Sequence, residues 1–128
     1  MDSKPSSEPS RELPPYRNPN LPVEARVADL VGRMTLEEKI AQLYCLGRAV
    51  EMTDILFDEQ GSLLTEQLAE LFEHGVGQIG RPAQRRSPRE AAELTNAVQK
   101  HLVEETRLGI PALFNEEGLH GLMAKGST

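Results

Sequence analysis

The segment VGQIGRPAQRRSPREAAELTNAVQKHLVEETRLGIPALF, residues 76–114, decides the fold. Its first five residues (VGQIG) form a short run with β-branched side chains and glycines. This pattern is typical of a strand that other backbone approaches closely. Residues 87–90 (SPRE) predict a helix start, because serine stands at the N-cap, proline at the first helical position and glutamate at the third. The helix is expected to end near Arg107, and its apolar stripe consists of Ala91, Leu94, Val98 and Leu102.

Residues 110–114 (IPALF) predict a second buried strand, in which the proline stands near the start, where a missing N–H costs least. A strand, a long amphipathic helix and a second strand together predict a βαβ unit. In such a unit, two parallel strands are joined by a right-handed crossover. The sequence therefore indicates an α/β fold from Val76 onward.

Helices are predicted upstream of this unit. Residues 35–38 (TLEE) form a capping box that begins one of them, and Gly75 suits the positive φ at the end of another. Residues 47–61 mix apolar and acidic side chains and are expected to form a loop with at most one short strand. The apolar positions at helical spacing are Val23, Val27, Leu30, Val31 and Met34 in the first helix, Leu36, Ile40 and Leu43 in the second, and Leu64, Leu68, Leu71 and Phe72 in the third.

The composition excludes several classes of function. The 128 residues carry a formal net charge of −6, which argues against a nucleic-acid partner. No apolar run approaches about 18 residues, so no membrane span is expected. The first 15 residues are rich in Ser, Pro, Glu and Lys and predict a disordered tail without a signal peptide, which makes the cytoplasm the default compartment. The single cysteine, Cys45, is expected to be a small buried apolar residue.

Ligands of parallel α/β folds bind beyond the carboxyl ends of the strands. Two segments occupy that position here, residues 80–82 (GRP) and residues 115–121 (NEEGLHG). Glu116 and Glu117 suggest a glycosidase acid/base pair, which needs carboxyl groups about 5–5.5 Å apart in a retaining enzyme. Adjacent residues on extended backbone point in opposite directions, so both cannot face one sugar carbon. One should point into a site and the other towards a partner or solvent, and two solvated loop acids are the plain alternative.

His120 has three interpretations: a donor to a ligand, an orienter of a carboxylate, or a core histidine. The three histidines show no metal-ligand spacing, and no metal or other cofactor is expected. A basic cluster lies around the helix start at Ser87, where positive charge is disfavoured by the helix dipole, so a partner is conceivable. Solvated loop residues are the favoured interpretation of this cluster, with Arg81 as the exception because it directly follows a strand. Its members are Arg81, Arg85, Arg86 and Arg89.

Two stretches resemble glycoside hydrolase family 3. Residues 16–43 (YRNPNLPVEARVADLVGRMTLEEKIAQL) are similar to its N-terminal opening. Residues 107–128 (RLGIPALFNEEGLHGLMAKGST) are similar to its second-strand motif. The resemblance implies a TIM-like (β/α)8 barrel, followed in the family by an α/β sandwich domain. The chain would then divide into a tail at 1–15, a helical lead-in at 16–75 and the first βαβ portion of the barrel, with about two strands, at 76–128.

The resemblance also implies retaining hydrolysis of terminal β-linked glucose or xylose, by an aspartate nucleophile and a glutamate acid/base that have no counterpart in these 128 residues. An acidic residue three positions before the His-Gly pair binds sugar hydroxyls in the family, which corresponds to Glu117. Glu117, His120 and Arg81 are therefore the candidate substrate-binding residues, and no catalytic residue is assigned. Asn115 stands where the family commonly has histidine, so no role of that histidine is carried over. The implied partner is a β-linked glycoside.

A complete (β/α)8 barrel needs about 200–250 residues. We expect the chain alone to form no stable part of a barrel, because a buried parallel pair needs both faces covered. We also expect it to be inactive, because the implied nucleophile and acid/base have no counterpart in it. The stop in mid-motif suggests a truncated gene, a split reading frame or a partial record. The alternative is a small non-catalytic helical interaction module, which a soluble, folded product and unrelated downstream DNA would favour.

Overall fold

The computed structural model describes residues 13–46, 64–122 and 124–127. Most of the predicted tail and the predicted loop at 47–61 lie outside the described residues, and so those two expectations stay predictions. The described residues form two compact units that divide after Met34. Among them, no helix combines the length and apolar character needed to cross a membrane.

The first unit consists of a 3₁₀ turn, Pro15–Arg17, and the predicted first helix, α1 (Val23–Arg33). Polar contacts hold the turn on one side of α1. The Tyr16 N–H donates to the Asp29 carboxylate (3.1 Å), and the Arg26 side chain donates to the Tyr16 carbonyl (3.0 Å). The hydrogen bond from Arg33 lowers the pKa of Asp29. The valine stripe of α1, Val23, Val27 and Val31, is exposed.

The described residues of the second unit form three helices and a three-stranded parallel sheet in the order β1-β2-β3. The predicted βαβ unit is confirmed, since β2 and β3 are parallel and the long helix α4 connects them along the chain. Each element is slightly shorter or shifted relative to its predicted range. In chain order the elements are α2 (Leu36–Leu43), β1 (Cys45–Leu46), α3 (Thr65–Leu71), β2 (Gln78–Gly80), α4 (Pro88–Glu104) and β3 (Leu113–Asn115).

Both predicted capping boxes are present. The Thr35 hydroxyl accepts from the N–H of Glu38, and the Glu38 carboxylate accepts from the N–H of Thr35 (2.8 Å). Ser87 and Glu90 form the same reciprocal pair at the start of α4. Gly75 has a φ of +80°, as expected for the residue that reverses the chain before β2.

The register of the sheet separates a covered face from an open face. Leu46, Ile79 and Phe114 lie opposite one another and face the helices. Cys45, Gln78 and Leu113 form the neighbouring row on the other face, where Leu113 is 70% exposed. The helices fill the covered face with buried side chains from α3 and α4, namely Leu68, Leu94, Val98 and Leu102, together with Phe72, Val76 and Ala112.

The segment around Cys45 adds to one expectation and contradicts another. Residues 76–128 contain the two strands predicted for them, and a further strand, β1, lies in the predicted helical lead-in and pairs with β2 in parallel. Cys45 is exposed instead of buried, because it lies on the open face of the sheet. A strand of two residues is too short to show the alternation that identifies strands in a sequence.

Gly77 is the position where the helices and the sheet come closest. A Cβ atom at Gly77 would lie against the carbonyl oxygen of Gln42 and 2.7 Å from its carbonyl carbon. The Gly77 N–H donates to the Ala41 carbonyl at the end of α2 (2.9 Å), and its own carbonyl accepts from the N–H of Leu113 (3.0 Å). Only glycine allows this approach, because both groups in contact are backbone.

A second link between distant parts of this unit is an ion pair. Glu38 is 7% exposed, and the Arg107 guanidinium donates to both of its carboxylate oxygens, with Nε–Oε1 at 2.9 Å. The hydrogen bond from Arg107 lowers the pKa of Glu38, burial opposes this effect, and the Thr35 N–H adds to it. The Glu38–Arg107 ion pair therefore connects the start of α2 with the segment that follows α4.

We predict that Gly77→Ala destabilises the second unit strongly. Overpacking costs about 1–3 kcal/mol even where side chains can yield, and here backbone must move. Urea unfolding followed by circular dichroism should show a large loss of stability or no folded state. Gly32→Ala is the matched control, because Gly32 lies in α1 with no neighbour within 4 Å of its added Cβ. Equal stability of the Gly77→Ala and Gly32→Ala chains would contradict the close approach.

We predict that Glu38→Gln lowers the free energy of unfolding by about 1–2 kcal/mol near neutral pH. This value lies in the lower range for a charged hydrogen bond, because the Arg107 side chain is half exposed. A lowered pKa contributes stability above the ordinary glutamate pKa of about 4.3, and this contribution is lost as the pH falls through the folded value. The difference in unfolding free energy between Glu38→Gln and the unchanged chain should therefore shrink on acidification.

Glu90→Gln is the control for this measurement. Glu90 has the same place in the capping box of α4, but it is exposed and its hydrogen bonds come from Ser87. Its substitution should cost less than that of Glu38. A Glu38→Gln effect that does not change between neutral and acidic pH would rule out the ion pair as the cause.

Candidate functional site

The carboxyl ends of β2 and β3 lie side by side, because Gly80 pairs with Asn115 in the register of the sheet. The loop after β2 begins with Arg81, and its N–H donates to the carbonyl of Asn115 (2.7 Å). Glu116 and Glu117 follow directly after β3. The two segments selected from the sequence therefore meet at one edge of the sheet, where parallel α/β folds bind their ligands.

Arg81 and Glu117 form an ion pair at this edge, with Nη1 and Oε2 3.4 Å apart. The Arg81 side chain is 34% exposed and that of Glu117 is 67% exposed, so both groups can reach a ligand from solvent. Arg81 has a φ of +57°, which a non-glycine residue adopts only where its surroundings hold it. A strained residue at a strand end that pairs with a carboxylate is typical of a functional site.

The two neighbouring carboxylates have different partners. Glu116 Oε1 accepts the N–H of Ala83 (2.6 Å), whereas Glu117 pairs with the Arg81 side chain. Both carboxylates are exposed, and each has a partner in the loop after β2: a backbone N–H for Glu116 and a side chain for Glu117.

His120 is not brought into this pair. It is exposed in this chain, and none of the hydrogen bonds among the described residues involves it. The backbone around it forms a bridge between Leu119 and Gly121. The structure therefore places Arg81 and Glu117 together, and among the described residues His120 has no hydrogen bond to either of them.

Arg86 has a role that the sequence analysis missed. The basic cluster was expected to be solvated, but Arg86 is 6% exposed, and its Nη1 donates to the carbonyls of Pro82 (3.1 Å) and Gln84 (3.4 Å). It therefore braces the loop after β2 from within. Its unfavourable place beside a helix start was the available signal, since positive charge there implies a partner.

The open face of the sheet contributes further polar groups near the site. Asn115 Nδ2 lies 3.3 Å from Gln78 Oε1 and 3.8 Å from Cys45 Sγ. These side chains come from all three strands, next to the edge that carries Arg81. Among the described residues, no three histidine, cysteine or acidic side chains lie together so as to hold a metal ion.

Comparison with known proteins finds relatives for most of the chain. It is 36% identical over 114 residues to a putative β-xylosidase from Formosa agariphila, a match that covers 88% of this chain and 15% of that protein. It is 32% identical over 108 residues to β-glucosidase C from Emericella nidulans, covering 84% of this chain and 16% of that protein. No family model matches the chain.

The chain thus spans about 15% of the length of the curated relatives it matches. The alignments cover more than four fifths of the chain. The matched residues therefore include most of those that the structure describes. The chain is similar to glycosidases of the β-xylosidase and β-glucosidase type, as its resemblance to glycoside hydrolase family 3 predicted.

Proposed function

We propose that this chain supplies part of the sugar-binding site of a retaining β-glycosidase of glycoside hydrolase family 3, acting on terminal β-linked glucose or xylose. The observation that carries this proposal is the accessible Arg81–Glu117 pair at the carboxyl ends of two parallel strands. The names of the two relatives, a putative β-xylosidase and a β-glucosidase, support the substrate class.

The chemistry of the pair suits a sugar. A carboxylate accepts hydrogen bonds from two neighbouring hydroxyls, and a guanidinium donates several in a fixed plane. Arg81 would orient Glu117 and keep free N–H groups for an oxygen of the substrate. His120 is retained as a third candidate, because it is an exposed imidazole three residues after Glu117 and can donate to or accept from a hydroxyl.

The order of the strands supports the start of a barrel. A barrel adds each strand on the same side of the previous one, whereas a doubly wound sheet reverses direction. The order β1-β2-β3 follows the chain without reversal. In this arrangement the open face with Cys45, Gln78 and Leu113 would line the barrel interior, and α3 and α4 would lie outside.

Bond cleavage would depend on groups beyond this chain. The aspartate nucleophile and glutamate acid/base that the family resemblance implies have no counterpart in these 128 residues, so the Arg81–Glu117 pair would hold a sugar without cleaving it. The isolated chain is therefore expected to be inactive, and no cofactor is required for this role. The cytoplasm remains the proposed compartment.

A non-catalytic interaction module is the second candidate function. One observation favours it: the apolar side chains of α2, namely Leu36, Ile40 and Leu43, are exposed. The same side chains would also be covered in a longer glycosidase. The activity experiment below separates the two candidates, because an interaction module has no reason to support hydrolysis.

The proposed function is tested in a chimera in which this chain replaces the matching segment of the Formosa agariphila protein. We expect the chimera to hydrolyse an aryl β-xyloside or β-glucoside and the isolated chain to hydrolyse neither. Glu117→Ala should then lower kcat/KM by about 10- to 100-fold, since a charged hydrogen bond contributes about 1.5–3 kcal/mol.

Glu93→Ala is the matched control in the same chimera. Glu93 is also an exposed acid in an ion pair, with Arg89 at 3.9 Å, but it lies on α4 away from the strand ends. Its substitution should leave kcat/KM unchanged. Equal rates for the Glu117→Ala and Glu93→Ala chimeras would remove Glu117 from the site.

A further inference from the structure

We propose that Glu116 is the positioning residue of this site, holding the loop after β2 so that Arg81 meets Glu117. The functional consequence rests on the proposed sugar-binding role of Glu117, whereas the positioning itself does not. Glu116 Oε1 accepts the Ala83 N–H at 2.6 Å, a side-chain hydrogen bond between residues 33 positions apart. It joins the same two segments that carry the ion pair.

Three links connect these segments. The backbone link runs from the Arg81 N–H to the Asn115 carbonyl (2.7 Å), and it continues the pairing of β2 with β3. The second is the Glu116–Ala83 hydrogen bond, and the third is the Arg81–Glu117 ion pair at 3.4 Å. The second lies further along the loop than the backbone link, where the strand pairing no longer guides the chain.

The ion pair cannot set this geometry by itself. Its atoms are farther apart than in a close charged hydrogen bond, which measures about 2.7–2.9 Å. Both side chains are also accessible to solvent, and exposed pairs contribute little because water and side-chain entropy compete with them. The Arg81 side chain therefore needs a fixed backbone to lie reliably beside Glu117.

That backbone is itself in an unfavourable conformation. Arg81 has a φ of +57° and Arg85 a φ of +62°, and neither is glycine. Such conformations persist only where surrounding contacts over-determine them. Arg86 braces the loop from within through the Pro82 and Gln84 carbonyls. Glu116 supplies the restraint from the side of β3, and this restraint fixes the loop relative to Glu117.

The first experiment measures amide hydrogen exchange in the chimera, in which the rest of the relative's sequence accompanies this chain. Glu116→Ala should speed exchange of the Ala83 amide by about tenfold or more, because its acceptor is lost, while the amide of Val98 within α4 stays protected. Glu116→Gln should keep most of the protection, because its amide oxygen can still accept. Glu93→Ala should change neither amide. Unchanged exchange at Ala83 in Glu116→Ala would overturn the proposal.

The second experiment uses the chimera and a double-mutant cycle. Glu116→Ala should raise KM several-fold with a smaller effect on kcat, as expected when substrate binding is weakened. Glu116→Gln should return KM to near its original value. Glu116→Ala combined with Glu117→Ala should be no worse than Glu117→Ala alone, because positioning has no value once Glu117 is absent. Additive losses would show that Glu116 acts independently of Glu117.

The two experiments distinguish failure of this inference from failure of the proposed function. If Glu117→Ala leaves kcat/KM unchanged, the sugar-binding proposal fails, while the exchange of the Ala83 amide still decides whether Glu116 holds the loop. If Glu117→Ala impairs the chimera and Glu116→Ala changes neither KM nor the exchange rate, Glu116 is no positioning residue.

Discussion

The close backbone approach at Gly77 is the constraint on which the rest of the second unit depends. The last turn of α2 contacts this residue directly, so any side chain there would collide with the Gln42 carbonyl group. The Gly77 N–H donates to the Ala41 carbonyl, and the Gly77 carbonyl accepts from the N–H of Leu113. The N–H of the next residue, Gln78, donates to the Tyr44 carbonyl. One glycine thereby brings together the end of α2, the start of β1, the central strand and β3.

The site is a consequence of the register that this approach helps to set. Gly80 lies opposite Asn115, so the residues that follow them emerge side by side and Arg81 can reach Glu117. The loop keeps two left-handed non-glycine residues in place through Arg86 and Glu116. These backbone conformations are locally unfavourable, and the contacts of Arg86 and Glu116 hold them at the edge of the sheet where the Arg81–Glu117 pair is exposed.

Local chemistry explains which features were predictable. The capping boxes at Thr35 and Ser87 and the positive φ of Gly75 involve residues only a few positions apart, and each appears as expected. The buried stripe of α4 also follows from the helical period, because Leu94, Val98 and Leu102 repeat every fourth residue. Arg81 and Glu117 were selected because ligands of parallel sheets bind at strand ends, a rule that needs only the order of the elements.

The amino-acid sequence by itself determined the helices, the βαβ unit and the resemblance to β-glycosidases, since these reside in short-range patterns and recognisable motifs. Only the tertiary structure decided that Cys45 lies on an open face, that Arg86 is buried, and that Glu38 pairs with Arg107, 69 residues away. It also decided which partner each of the two adjacent glutamates has, the Ala83 N–H for Glu116 and the Arg81 side chain for Glu117. The physical reason is that burial and pairing depend on groups brought together by the fold, which no local period encodes.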